Sequence, residues 1–89
     1  MEKLSETQIA ESLKGTPGWE CKGEEITRLW KFLDFKQAME FANRVAELAE
    51  ATDHHPDIDI RYNKVRLTLS THSAGGLTEK DFSLAKQIG

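Results

Sequence analysis

All three histidines of the chain lie in one short region, and this clustering suggests proton chemistry there. His54 and His55 are adjacent, and His72 follows within the same stretch. Histidine is the only side chain whose unperturbed pKa places its charge change between roughly pH 5 and 8. It is therefore the usual general acid or base near neutral pH. The segment from Glu50 to His72 is the candidate site.

The residues after Pro56 predict a β-hairpin that returns His72 to the histidine pair. Apolar and polar residues alternate over 58–62 and again over 65–69, as in two half-buried strands. Residues 63–64 lie between these runs as a tight turn. Because the turn reverses the chain, the end of the last strand returns to the level where the third strand began. We therefore expect His72 near the histidine pair.

Two carboxylates are placed to act on these imidazoles. Glu50 precedes His54 by four residues, so a helix that persists this far puts both side chains on one face. A carboxylate beside an imidazole fixes which ring nitrogen carries the proton, which suits a general acid or base. Asp81, in the first turn of the last predicted helix, closes the site from another side.

Other interpretations of these residues remain open at this level. A histidine pair at a helix end is also typical of a solvated terminus, where positive charge is favourable. Three histidines can hold zinc, but no HExxH-type spacing is present and consecutive residues direct their imidazoles apart. The glycines at 75–76 are a weak phosphate signal, and the aspartates at 53, 57 and 59 do not fit an EF-hand. The sequence predicts no metal and no cofactor.

Length, composition and charge narrow the class of protein. The 89 residues predict one domain over 1–89, small enough that oligomerisation is expected. A net charge of -3 argues against a general nucleic-acid or anionic-membrane binder. No apolar run approaches the roughly 20 residues that span a bilayer, and the start MEKLSETQ lacks the form of a signal peptide. We expect a cytoplasmic protein.

The remaining patterns predict the elements that position the site. Ser5 with Gln8, and Thr78 with Asp81, have the spacing of helix capping boxes. Alternating apolar residues between the first two predicted helices indicate a first hairpin, in which Cys21 packs as a small apolar residue. The order helix, hairpin, helix, hairpin, helix predicts an α+β fold, a four-stranded antiparallel sheet with three helices on one face.

The middle helix carries two apolar stripes. Asp34 caps it, and one stripe can cover the sheet. A second stripe about a third of a turn away has nothing left to bury against in so small a domain, so it predicts an oligomer contact. The alternative is that both stripes form one wide core face. The second stripe consists of Phe41, Val45, Leu48 and Thr52.

Taken together, these motifs resemble the pterin-4a-carbinolamine dehydratase family. The resemblance covers about the C-terminal half at motif level, and HHP followed at this distance by YNKV and TH is more specific than any single piece. The residues that carry it are Glu50, Asp53-His54-His55-Pro56, Tyr62-Asn63-Lys64-Val65, Leu67, Leu69, Thr71-His72, Gly76-Leu77-Thr78, Asp81 and Leu84-Ala85.

The resemblance implies a reaction and roles for these residues. The family removes water from a tetrahydropterin with a hydroxyl at C4a, and the quinonoid dihydropterin formed is then reduced for reuse by aromatic amino acid hydroxylases. By resemblance, His54 and His72 carry the proton transfers, with the choice of acid and base open, and Glu50 orients His54. The remaining contacts to a pterin substrate are implied for His55, Pro56, Thr71, Ser73 and Asp81.

One departure and one second function class accompany the resemblance. Many members carry a tryptophan two residues after the proline, where this chain has Ile58, so an aromatic wall for the pterin is missing. Members of the family in animals also act as dimerisation cofactors for a transcription factor, and some related proteins serve as assembly or binding modules without dehydratase activity. The resemblance therefore leaves a non-catalytic dimerisation or assembly cofactor as the alternative. The full set of three histidines and Glu50 favours the enzyme. The resemblance also implies a homodimer or homotetramer.

Overall fold

The computed structural model describes residues 2–89 and contains three α-helices and four β-strands. The predicted α+β fold, a four-stranded antiparallel sheet with three helices, is confirmed. In chain order the elements are α1 (Glu6–Leu13), β1 (Glu20–Lys22), β2 (Glu25–Lys31), α2 (Phe35–Thr52), β3 (Asp57–Arg61), β4 (Lys64–Leu69), a short 3-10 helix (His72–Ala74) and α3 (Glu79–Ile88).

The strand order β1-β2-β4-β3 makes β4 a central strand. It pairs with β2 from Ile26↔Leu69 to Lys31↔Lys64, and with β3 on its other side. The second hairpin therefore joins the sheet through its later strand. The chain therefore leaves the sheet at the end of a central strand. Thr71, just after β4, is hydrogen-bonded to Thr78 and Asp81 at the start of α3.

The turn between β3 and β4 lies one residue earlier than predicted. Tyr62 adopts a left-handed conformation with φ of 54°, and Lys64 already pairs with strand residues on both sides. Asn63 donates its side-chain amide to the backbone carbonyl of Phe32 at 2.9 Å. This bond ties the turn to the end of β2, so residues 62–63 make the turn and the predicted 63–64 was wrong by one position.

The core lies between the helices and one face of the sheet. Every second residue of β4 is fully buried there, and α3 contributes Phe82, Leu84, Ala85 and Ile88. The predicted caps are present: Ser5 and Thr78 form capping boxes, and Asp34 accepts from the backbone of Gln37. These caps fix where the helices begin and hence how α3 meets the sheet.

The predicted oligomer stripe on α2 belongs to this core instead, except for Thr52 at its end, which is exposed. Phe41 is 8% exposed and Val45 fully buried within the single chain, and Leu48 packs partly buried against the same cluster. The Phe41 ring lies 4.8 Å from Trp30 and 5.1 Å from Phe32, centroid to centroid. The assignment of these side chains to an oligomer contact was wrong, because α2 lies over the sheet and buries one wide face.

Cys21 is exposed on the three-residue edge strand β1, so its predicted packing was also wrong. Edge strands this short have little core above them to bury a side chain against.

No helix within residues 2–89 is long and apolar enough to cross a membrane.

Candidate functional site

His54 is bound to a buried carboxylate. Helix α2 ends at Thr52, and Asp53 follows as its C-cap in the left-handed conformation, with φ of 51°. This change of direction turns His54 toward the start of α3, where its Nε2 lies 2.6 Å from Oδ1 of Asp81. The His54 side chain is 12% exposed and that of Asp81 is fully buried. The imidazole is thus held in one orientation from inside the protein.

The second oxygen of Asp81 joins two further segments. Its Oδ2 accepts from the backbone N–H of Thr78 at 2.9 Å and from the Thr71 hydroxyl at 2.8 Å. The two threonine hydroxyls also lie 2.8 Å apart. Asp81 lies in the first turn of α3, where the positive end of the helix dipole stabilises a carboxylate. One buried carboxylate therefore connects the end of α2, the end of β4 and the start of α3.

His72 directly follows Thr71 and is exposed as the first residue of the 3-10 helix. Thr71 and Gly76 exchange backbone hydrogen bonds of 3.0 and 3.3 Å, and Gly75 ends the turn with φ of 75°. The segment 73–76 is therefore a hydrogen-bonded turn. His54 contacts the Asp81 carboxylate directly, whereas His72 is the chain neighbour of Thr71, whose hydroxyl donates to that carboxylate.

Glu50 binds His55 rather than His54. Its Oε2 lies 2.5 Å from Nε2 of His55, and the side chains are 77% and 55% exposed, respectively. The predicted pairing with His54 was wrong, because the helix ends at Thr52 and the left-handed Asp53 breaks the helical spacing. The exposed pair lies on the surface.

The other residues implied to contact substrate differ in exposure. Thr71 is buried, Pro56 is half-buried and Ser73 is exposed in the 3-10 helix. Ile58 is 39% exposed on β3 and pairs with Leu67 across the strands. Its side chain lies on the helix-facing side of the sheet edge, where a larger aromatic would extend the apolar surface.

A cavity of about 340 Å³ adjoins His54 on the side of α3. Its lining includes His54 but, among residues 2–89, neither His55 nor His72. Sequence reasoning missed the α3 residues that line it, although their spacing of three and four marks one helical face. The lining residues are Thr52, His54, Glu79, Lys80, Ser83, Leu84 and Gln87.

The site is suited to proton transfer at one defined atom. A carboxylate only accepts hydrogen bonds, so Asp81 as a carboxylate requires a proton on Nε2 of His54. The neutral imidazole then carries its lone pair on Nδ1, which is free to take a proton. Within residues 2–89 no group of three or more His, Cys, Asp or Glu side chains is arranged to hold a metal ion.

The chain is similar to known proteins over its described length. The family model for pterin 4 alpha carbinolamine dehydratase matches residues 2–89. A protein of Chloroflexus aurantiacus, provisionally named pterin-4-alpha-carbinolamine dehydratase, is 57% identical over 88 residues, covering 99% of this chain and 95% of the relative. A Thermomicrobium roseum protein with the same provisional name is 52% identical, with the same coverage.

Two solved structures are similar in fold. A crystal structure of a transcriptional coactivator/pterin dehydratase from Brucella melitensis has a TM-score of 0.93 and 40% identity, covering 98% of this chain and 95% of that one. A pterin dehydratase-like protein described as a RuBisCO assembly factor in the alpha-carboxysome has a TM-score of 0.64 and 24% identity, covering 79% and 81%. The second likeness shows the fold alone.

Proposed function

The chain belongs to the pterin 4 alpha carbinolamine dehydratase family, and from this premise we propose that it dehydrates a 4a-hydroxytetrahydropterin to the quinonoid dihydropterin. In this elimination the bond between C4a and the hydroxyl oxygen breaks, and the oxygen leaves as water after gaining a proton. The neighbouring ring nitrogen loses a proton, and its electron pair forms the new double bond to C4a. Nothing is oxidised or reduced, so the proton transfers are the chemistry that the protein supplies.

We assign the general base to His54, and the bond from its Nε2 to Asp81 carries this proposal. The bond leaves Nδ1 with the lone pair, and the adjoining cavity gives a substrate access to the imidazole. Protonation of Nδ1 makes an imidazolium, which the buried carboxylate stabilises at close range. Asp81, fully buried, then acts as a positioning residue and not as a direct substrate contact.

His72 is the proposed general acid that protonates the departing hydroxyl. It is exposed and directly follows Thr71, whose hydroxyl donates to the Asp81 carboxylate that holds His54. We propose that the two imidazoles approach a bound substrate from these two segments. His55 is proposed to hold the pterin, with Glu50 orienting this second imidazole. Pro56, Thr71 and Ser73 complete the contacts proposed for the pterin.

The direct test is a dehydratase assay with purified protein on a 4a-hydroxytetrahydropterin generated in solution. Formation of the quinonoid product is followed by absorbance against the spontaneous rate. We expect acceleration by the wild-type protein and the same rate in the presence of a chelator. No acceleration would contradict the enzyme, and activity lost with the chelator would contradict acid-base catalysis by the imidazoles alone.

A binding or assembly module is the second candidate function. A protein of the same fold is described as an assembly factor, and this chain exposes apolar side chains ahead of and within the first turn of α2. Leu33 is 79% and Phe35 is 50% exposed. A module of this kind would require this apolar surface and not the imidazoles. A wild-type rate equal to the spontaneous rate in the assay would favour this function.

We also propose that the protein is a homodimer or homotetramer. A chain of this length buries a limited core, and association is a common way to stabilise small domains. Since Phe41 and Val45 are buried, the exposed Leu33 and Phe35 are the apolar side chains available near α2. Sedimentation of the wild type and of Phe35→Glu tests this surface, because a charge in an apolar contact separates the subunits.

A further inference from the structure

The sheet face opposite the helices carries a row of positive charges. Lys31 on β2 pairs with Lys64 on β4, and Lys64 pairs with Arg61 on β3. Directly paired residues of neighbouring strands point to the same face. The next residue of β4, Val65, is fully buried on the helix side, so its neighbour Lys64 points to the uncovered side. Lys31, Lys64 and Arg61 are called the cation row.

The cation row is unfavourable on its own. Like charges directly opposite each other on neighbouring strands destabilise a sheet. Of the three cations in the row, only Arg61 has a carboxylate of residues 2–89 at ion-pair distance, Asp59 at 3.4 Å, and the Arg61 side chain is 83% exposed. The chain as a whole has a net charge of -3, so an excess of cations is not general to the sequence.

Protection of the sheet edges does not account for the cation row. Lysines often mark edge strands, where they discourage pairing with other chains. Here the order β1-β2-β4-β3 places Lys31 and Lys64 on the two central strands. Only Arg61 lies on an edge strand. The two lysines therefore have no role in blocking an open edge.

A shallow depression lined by two members of the cation row, Arg61 and Lys64, adds a fourth cation. Its volume is about 290 Å³, and its lining brings together Leu29, Asp59, Arg61, Lys64 and Arg66. Arg66 donates to the Thr27 hydroxyl at 3.1 Å, which directs its guanidinium along the sheet face. With one carboxylate against three cations in the lining, the depression favours an anion.

We propose that the cation row binds a linear oligophosphate group. Neighbouring strands lie about 4.8 Å apart, so the row runs roughly 10 Å across three strands. A chain of linked phosphates places negative charge along this whole length, whereas a single phosphate reaches fewer of the three cations. Arginine offers a planar fork for phosphate oxygens, and lysines add point charges beside it.

The proposed oligophosphate site is separate from the histidine site. The cation row lies on the uncovered sheet face, and the Asp81 network lies on the helix side, between the ends of α2 and β4 and the start of α3. The proposal therefore does not depend on the dehydratase reaction, and substitutions in the row are expected to leave that reaction unchanged.

The test is calorimetric titration of the purified protein with inorganic tripolyphosphate at low ionic strength. Because Lys64 is the central cation, Lys64→Thr should weaken binding at least about tenfold, the scale of one lost charge-assisted contact. Lys22→Thr is the matched control, because Lys22 is an exposed strand lysine of the same sheet whose cross-strand partner is Glu25. We expect this control to bind within about twofold of wild type.

Further outcomes also decide the proposal. Without ligand at low salt, Lys64→Thr should melt at or above the wild-type temperature, since it removes cross-strand repulsion. A clear drop in melting temperature would overturn the proposal by making the lysine structural. Equal affinity for orthophosphate and tripolyphosphate would overturn the linear ligand. Tighter binding of a single-stranded oligonucleotide than of tripolyphosphate would reassign the row to nucleic acid.

Discussion

Two adjacent histidines of this protein each contact one carboxylate, but in opposite surroundings. His54 is 12% exposed and contacts the fully buried Asp81 at 2.6 Å. His55 is 55% exposed and contacts Glu50, itself 77% exposed, at 2.5 Å. The two contacts have similar lengths. They differ in what else each carboxylate holds, since Asp81 also binds Thr71 and the backbone of Thr78.

Burial, and not distance, decides how much a histidine-carboxylate pair contributes to the stability and order of the site. An exposed pair is screened by water and loses side-chain entropy, so it contributes little. A buried pair is costly to break, because removal of one partner leaves polar groups without water or protein to satisfy them. The buried pair can therefore fix an imidazole for catalysis, and the exposed pair leaves its imidazole free to adapt to a ligand.

The largest expected effect is on stability, from removal of the buried carboxylate. Asp81→Ala leaves His54, Thr71 and the backbone of Thr78 without their shared acceptor, and should lower the free energy of unfolding by roughly 3–5 kcal/mol. Denaturant unfolding measures this loss. Glu79→Ala is the control, because Glu79 is an exposed acid in the same helical turn and should cost at most about 1 kcal/mol. Equal losses would contradict the special weight of the buried pair.

The next effect is on the chemical step. His54→Ala or His72→Ala should lower the dehydration rate at least about hundredfold, the usual scale of a lost general acid or base. Steady-state kinetics on folded variants measure this loss, and circular dichroism confirms their fold. Near wild-type rates in both variants would refute the assignment of the proton transfers to these two histidines.

A smaller effect is expected at the exposed histidine. His55→Ala should raise KM by about tenfold and change kcat by less than about threefold, because a residue that only binds substrate stabilises ground state and transition state alike. Measurement of both constants beside His54→Ala compares the two neighbours directly. A fall in kcat as large as that of His54→Ala would remove the distinction between them.

Local patterns were enough to predict most of the fold. Two helices begin with capping boxes, in which side chains three residues apart bind the free backbone N–H groups. Because this spacing is local, the sequence alone predicts both boxes, Ser5 with Gln8 and Thr78 with Asp81. The second hairpin follows from alternation, which the buried positions of β4 confirm. Local patterns did not predict how wide a face of α2 is buried, because that width depends on how the helix lies over the sheet.

The sequence predicted which residues belong to the candidate site, but not which of them contact one another. The partner of Glu50 depends on the left-handed Asp53, and an aspartate permits this conformation without requiring it. Asp81 was expected near the site, but its bonds to His54 and Thr71 join residues distant in sequence. Contacts of this kind depend on how three segments pack together, and the spacing of residues along the chain does not predict them.

The smallest effect is expected at the exposed carboxylate. Glu50→Gln keeps the size of the side chain and removes only its charge, so the free energy of unfolding should change by less than about 1 kcal/mol. Any change should shrink further in high salt, since exposed charges are screened. The matched Asp81→Asn variant, also a change from carboxylate to amide, should lose more stability and be insensitive to salt. If Glu50→Gln were instead as damaging as Asp81→Asn, the pair at His55 would be coupled to the fold, and burial would not be what separates the two histidines.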